Sequence, residues 1–122
     1  MRVIKPSDRM HGDVRPPTGS FHGRATQHLL HEAAADTRVS FVSFDPGANA
    51  HWHIHSGGQV LHILDGSARA QAWGEPLHTL SAGDTAITPP GEKHWHGATS
   101  EGPMTQLAIT CGDVTWLEDV LD

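Results

Sequence analysis

The feature of this sequence that most limits its fold is a series of short β-type segments divided by turn residues. From Arg38 to Cys111, apolar and β-branched residues recur in runs of roughly four to eight. The turns between them are Asp45-Pro46-Gly47, Asp65-Gly66, Gly74, Ala82-Gly83-Asp84 and Pro89-Pro90-Gly91. About eight strands at such regular spacing, with no helical pattern between them, predict an all-β sandwich or barrel rather than a parallel sheet covered by helices.

The two ends of the chain are less regular than its centre. Residues 1–24 are polar and rich in proline and glycine, which predicts an irregular N-terminal arm, and residues 25–122 are predicted to form the barrel. Gln27–Glu32 suits either a strand or one helical turn, and Val114–Leu121 suits a short C-terminal helix or a packed tail. A chain of 122 residues has room for one hydrophobic core, so a single domain is expected.

Composition limits the possible partners of the chain. A net charge of −6 without a cluster of lysine and arginine argues against nucleic acid. No apolar run approaches the roughly 20 residues needed to cross a bilayer, which argues against a membrane partner. The first residues lack the apolar core of a signal peptide, so a cytoplasmic location is expected. Cys111 is the only cysteine, which excludes an internal disulfide and a thiolate-rich metal site.

Histidine is the compositional outlier, with 11 residues among 122. It is the commonest protein ligand for metals. His51, His53 and His55 occupy alternate positions and therefore share one face of a strand, where neighbours about 6–7 Å apart can both reach one ion. Gln59 follows after a glycine-containing bend, and His94 follows a proline-rich turn. Two local ligands, a third after a bend and a distant fourth together predict a metal site inside a β-barrel.

Two segments resemble the sequence motifs of the cupin family. The first runs Gly47, five residues, His53-x-His55, three residues, Gln59, six residues and Gly66, with glutamine where cupins usually have glutamate. The second runs Gly83, five residues, Pro89-x-Gly91, two residues and His94, with Ala98 in place of the usual asparagine. The resemblance implies a single cupin barrel, also called a double-stranded β-helix or jelly roll. It also implies that the metal ligands are His53, His55, Gln59 and His94, with His51 at the rim.

These four implied ligands indicate the type of metal and of chemistry. Three imidazoles and one amide are all neutral, so a bound divalent ion would keep its full charge and act as a Lewis acid. Nitrogen and oxygen donors suit manganese, iron, cobalt, nickel or zinc, and the resemblance favours manganese. The family resemblance also implies a homodimer, because cupins commonly pair through their sheet edges.

The second half of the chain is most similar to the cupin hydroxynitrile lyases, which cleave or form cyanohydrins. The similarity lies in Pro90–Ala98 and Met104–Ile109. Those lyases carry an acid/base histidine at the position of Gln106, and an amide cannot transfer a proton at neutral pH. His96 shares a strand face with His94 and is the expected substitute, which makes His96 and Gln106 the candidate catalytic positions. The same alternation predicts that the pocket is lined by Ser40, Val42, Ala108 and Thr110.

The leading hypothesis is therefore a metal-dependent enzyme that acts on a small organic molecule as a hydroxynitrile lyase does. One alternative is an oxygen-dependent dioxygenase or oxidative-cleavage cupin that uses the same ligands. Another is a barrel that binds a metal or metabolite without catalysis, which the glutamine at position 106 keeps open.

Overall fold

The computed structural model describes residues 1–5, 7, 13–15, 20–33 and 36–120. Within them the chain forms thirteen strands, without a helix long and apolar enough to span a bilayer. The strands are β1 Asp13–Arg15, β2 Phe21–His22, β3 Ala25–Ala33, β4 Thr37–Phe44, β5 Asn49–Ala50, β6 His53–His55, β7 Gln59–Asp65, β8 Ser67–Ala72, β9 His78–Ser81, β10 Thr85–Thr88, β11 His94–Ala98, β12 Met104–Cys111 and β13 Val114–Trp116.

The strands form two antiparallel sheets that enclose one interior, which confirms the predicted all-β barrel. The first sheet has the order β1-β3-β4-β12-β7-β10. The second has the order β13-β6-β11-β5-β2, and β8 joins it by pairing with both β11 and β9. Alternate residues of each central strand point inwards, as the period of two requires.

The interior is apolar at one end and polar at the other. The inward row of β12 shows the change, because Met104 lies in the hydrophobic core whereas Gln106 and Thr110 are buried polar residues. The row of β4 changes in the same direction, from Phe44 in the core to Ser40. The polar end is where the candidate ligands meet.

A glycine bend between β6 and β7 positions two of the predicted ligands. A Cβ on Gly57 would lie 2.7 Å from the Cβ of Cys111, which is too close. Gly58 has a φ of +85°, and a Cβ there would lie only 2.8 Å from the Thr88 carbonyl oxygen. The amide of Gly57 donates to the carbonyl of Cys111 over 3.0 Å. Only glycine therefore allows the chain to turn this closely against β12 between His55 and Gln59.

Both ends of the chain contribute strands that the sequence did not predict. β1 pairs with β3 and β2 pairs with β5, so the arm is not wholly irregular, although its residues 6, 8–12 and 16–19 lie outside the described residues. Gln27–Glu32 lies within a strand. The prediction of a short C-terminal helix in Val114–Leu121 is wrong, because Val114–Trp116 is a strand paired with β6. Valine, threonine and tryptophan favour strands, and the free edge of β6 offers them hydrogen bonds.

Candidate metal centre

Strands from both sheets bring the four predicted ligands together. His53 and His55 are on β6, Gln59 begins β7, and His94 begins β11 directly opposite His53. The ring centroid of His53 lies 4.3 Å from that of His94 and 4.8 Å from that of His55. All four side chains are buried. We refer to His53, His55, Gln59 and His94 as the metal site.

Backbone carbonyls fix the ring orientation of two of these histidines. Nδ1 of His53 lies 2.6 Å from the His51 carbonyl oxygen, and Nδ1 of His94 lies 3.0 Å from that of Glu92. A carbonyl oxygen only accepts hydrogen bonds, so Nδ1 carries the proton in both rings. In a neutral imidazole this leaves Nε2 with a free lone pair, which is the form that binds metals.

Burial keeps these rings neutral near pH 7. It is the largest cause that lowers the pKa of His53 from 6.5 to about 3, followed by the neighbouring His94. Burial also lowers the pKa of His94, against the opposing effect of its hydrogen bond to Glu92. The site therefore presents unprotonated nitrogens over the whole physiological range of pH.

Gln59 is oriented by a hydrogen bond to the neighbouring strand. Its Nε2 donates to Oγ1 of Thr110 over 3.0 Å, which leaves its Oε1 3.2 Å from Nε2 of His94. Both facing atoms carry lone pairs when Nδ1 of His94 is the protonated nitrogen, so they repel each other unless a cation lies between them. Two ligands about 2.1 Å from one ion at a right angle would be about 3.0 Å apart. This distance fits a shared divalent ion.

His55 supplies a second indication of a bound cation. Both of its ring nitrogens are buried and have no hydrogen-bond partner among the described residues. Such an unpaired buried nitrogen is destabilising by about 1–3 kcal/mol. Burial is the largest cause that lowers its pKa to about 4, followed by His94 and Arg38. A neutral imidazole with a free lone pair beside two oriented ligands fits a third ligand of the same ion.

The candidate catalytic residues His96 and Gln106 form a buried pair next to the metal site. Nε2 of Gln106 lies 3.2 Å from Nδ1 of His96, and the ring of His96 is centred 5.2 Å from that of His53. Burial is the largest cause that holds the pKa of His96 well below 6.5, and the neighbouring histidines lower it further. In this arrangement Nδ1 accepts from the amide, so the other nitrogen of His96 carries the proton.

The structure also offers an alternative set of ligands. Nitrogen atoms of His53, His94 and His96 all lie within 4.8 Å of one another. This set shares two members with the metal site and replaces His55 and Gln59 by His96. With the amide of Gln106 oriented as in the structure, the second nitrogen of His96 carries a proton and cannot bind a metal, which disfavours this set in that orientation.

A cavity of about 610 Å³ opens beside these residues. It is lined by the predicted pocket residues Ser40, Val42, Ala108 and Thr110, together with His53, His55, Gln59, His96 and Gln106. His94 borders a separate, smaller cavity of about 230 Å³.

Sequence reasoning missed several residues of the larger cavity. They are Phe21, Gln27, Arg38, Asp113, Val114 and Trp116. A signal existed for Arg38, because it alternates with Ser40 and Val42 along β4. No local signal existed for Phe21 or Trp116, since each reaches the cavity through the pairing of strands distant in sequence.

Comparisons with known proteins agree with this geometry. The Cupin domain family matches residues 40–110. The chain is 42% identical over 85 residues to a protein from Granulicella tundricola named (R)-mandelonitrile lyase, a match that covers 66% of this chain and 65% of that protein, just under two thirds of its length. This match confirms the similarity to hydroxynitrile lyases that the sequence motifs indicated.

Solved structures show the same architecture. A cupin-like protein from Thermotoga maritima superposes with a TM-score of 0.83 at 32% identity and covers 91% of this chain and 88% of its own. A DMSP lyase from Ruegeria pomeroyi has a TM-score of 0.76 at 23% identity over 93% of this chain and 64% of its own, a likeness that concerns the fold alone. From its motifs, its fold and these matches, the chain is a member of the cupin family.

Proposed function

We propose that this cupin is a metal-dependent lyase that cleaves and forms cyanohydrins. The metal site would hold one divalent ion, for which manganese is the first candidate. The observation that carries the proposal is a neutral, buried histidine, His96, in the cavity wall beside the ligands. The similarity to a mandelonitrile lyase supports the choice of reaction.

The ligands and the proposed chemistry are compatible. A divalent ion bound there would supply Lewis acidity, which lowers the pKa of a substrate hydroxyl. The protein must supply the remaining functions, which are positioning of the substrate and transfer of its proton. The cavity offers space for a small aromatic or aliphatic molecule, since binding sites for such ligands measure about 300–1,000 Å³.

Cleavage of a cyanohydrin requires the movement of one proton and one electron pair. The hydroxyl proton is removed, the carbon–carbon bond breaks with its electron pair leaving on cyanide, and an aldehyde remains. The cyanide then takes up a proton. In this proposal His96 accepts the hydroxyl proton and returns it to cyanide. Burial makes the neutral ring of His96 a weak base, so this transfer depends on the lowered hydroxyl pKa that a bound ion would give. The imidazolium that forms is correspondingly acidic and releases its proton readily to cyanide.

Gln106 can stabilise both protonation states of His96. With its amide nitrogen towards Nδ1, as in the structure, it donates to a neutral ring. Its Oε1 is buried and has no partner among the described residues. Rotation of the amide would present this oxygen to an Nδ1–H instead, and Nε2 of His96 would then be free to take up a proton. Glutamine thus acts as a positioning residue rather than as an acid or base.

The test is the cleavage of mandelonitrile by metal-loaded protein, followed as release of benzaldehyde under nitrogen. We expect activity without oxygen, and His96→Ala should lower it by about 10²–10⁴-fold while the metal is retained. His62→Ala is the matched control, because His62 lies outside this cavity and contacts Thr85. An absence of cyanohydrin cleavage, or a parent-like rate in His96→Ala, would refute the proposal. Turnover that requires oxygen would instead support the dioxygenase alternative.

A further inference from the structure

We propose that the substrate of this cavity carries a carboxylate group and that Arg38 binds it, with the reacting end of the substrate at the metal site. The inference rests on the proposed function only for the identity of the reacting end. It defines a substrate class, the cyanohydrins and aldehydes that also bear a carboxylate.

The position of Arg38 follows from strand register. It is the first member of the inward row that continues with Ser40 and Val42, and all three line the cavity. Arg38 is paired with Thr110 of β12, and side chains paired in this way have Cβ atoms about 4.5–5.5 Å apart. Thr110 in turn accepts the hydrogen bond that orients Gln59. Thr110 therefore links the two residues, because it is the strand partner of Arg38 and the hydrogen-bond partner of the ligand Gln59.

The guanidinium of Arg38 makes no ion pair within the described part of the chain, although Glu32 is its register partner on β3. The ion pairs found there are His22–Asp119, His51–Asp119 and Lys93–Glu118, and the side chain of Arg38 makes no hydrogen bond to a described residue. Asp113 also lines the cavity, but no oxygen of it lies within 4.0 Å of the Arg38 nitrogens. Arginine has five N–H donors, and leaving them unpaired in a half-buried position is unfavourable.

Arg69 shows what a structural arginine looks like in this fold. It is half-buried to a similar degree, yet its Nε donates to the carbonyl of Ala98 over 2.9 Å and its Nη2 to that of Gly47 over 3.2 Å. Arg69 thus joins the end of β11 to the turn at Gly47, whereas Arg38 presents its donors to an open cavity. This contrast indicates that Arg38 serves a ligand rather than the fold.

The electrostatics of the cavity favour an anion. The metal site consists of neutral ligands, so a bound divalent ion would add its full charge to that of Arg38, and Asp113 offsets only part of the sum. A carboxylate matches the planar fork of a guanidinium with two parallel hydrogen bonds. Arg38 and His55 both line this cavity, so the guanidinium charge lies in the same cavity as the ligands.

The experiment measures the affinity of metal-loaded protein for 4-formylbenzoate and for its neutral methyl ester by calorimetric titration. Hydrogen bonds to charged groups contribute about 1.5–3 kcal/mol, so the acid should bind roughly 10- to 100-fold more tightly than the ester. Arg38→Gln should remove this preference, and Arg38→Lys should retain part of it. Arg24→Gln removes the same charge from an exposed position and should leave the preference unchanged.

Equal affinity of the parent for the acid and the ester would overturn the inference. A full preference in Arg38→Gln would also overturn it, since the carboxylate would then bind elsewhere, such as on the metal. Metal content and melting temperature of each variant show that it is folded. Because no turnover is involved, a protein that prefers the acid through Arg38 but cleaves no cyanohydrin would sustain this inference and refute the proposed function.

Discussion

Acidification of the metal-free protein should unfold it, because the buried imidazoles of the metal site resist protonation. The pKa of His53 is lowered from 6.5 to about 3 and that of His55 to about 4, in both cases chiefly by burial. In the unfolded chain both rings take up protons near pH 6.5. The unfolded state therefore binds more protons than the folded state between about pH 6.5 and 3. Stability is complete above this range and is lost as the pH falls through it.

The size of the effect follows from the two shifts. At pH 5 an unfolded histidine is almost fully protonated, whereas His53 and His55 remain neutral in the folded protein. The linkage relation then gives a loss of about 2 kcal/mol for each ring, or about 4 kcal/mol for the pair. His94 and His96 shift in the same direction and add to this loss. A small domain has a total stability of about 5–15 kcal/mol, so a large part of it would disappear.

Urea unfolding in the presence of a chelator at pH 7.5 and pH 5.0 measures this loss. With a denaturant slope of about 2 kcal/mol per molar urea, the midpoint should fall by about 2 M. His55→Gln removes one of the shifted groups and should flatten the dependence, whereas His62→Ala, on the outer side of β7, should not change it. An equal midpoint at both pH values would refute the reasoning that burial holds these rings neutral.

Four further outcomes are expected. When the free metal concentration is a hundred times Kd, removing the metal should lower the free energy of unfolding by about 2.7 kcal/mol and the melting temperature by roughly 5–10 °C. An unchanged melting curve would contradict a stabilising site. Thr110→Val should weaken metal binding by about 10–100-fold in equilibrium dialysis, because Gln59 loses the partner that orients it; unchanged affinity would show that it needs no such partner. Gln106→His should raise cyanohydrin cleavage by adding a second proton-transfer group, and no gain over an inactive parent would remove the lyase assignment. Light scattering should give twice the chain mass of 13.1 kDa, since edge strand β10 leaves Ile87 75% exposed; a monomer would contradict the expected homodimer.

The central strands and the inward rows could be predicted from sequence because their signals are local. The strand Thr85–Thr88, for example, fills the segment between the turns Ala82-Gly83-Asp84 and Pro89-Pro90-Gly91 that the sequence indicated. Alternation placed Ser40 and Ala108 in the cavity wall, where the structure has them. Motif spacing brought His94 next to His53 although 40 residues lie between them, since the spacing encodes the barrel geometry.

The parts that could not be predicted depend on pairing between distant segments. Val114–Trp116 consists of strand-favouring residues but is only three residues long, so its pairing with the open edge of β6 decides its structure. This pairing brings the ring of Trp116 to 4.7 Å from that of His53, a contact that no spacing rule implies. Arg38 is a different case, because its signal was present in the alternation of β4. A charged residue seldom faces an interior, so its position was not recognised from sequence.

The most direct test of the metal site is anomalous diffraction from crystals of protein purified without added metal, recorded at the absorption edge of the metal that elemental analysis identifies. We expect one ion per chain, bound by nitrogen atoms of His53, His55 and His94 and by Oε1 of Gln59 at about 2.0–2.3 Å. An ion bound by His53, His94 and His96, with His55 and Gln59 outside its coordination shell, would contradict this account, as would crystals without any ion between these side chains.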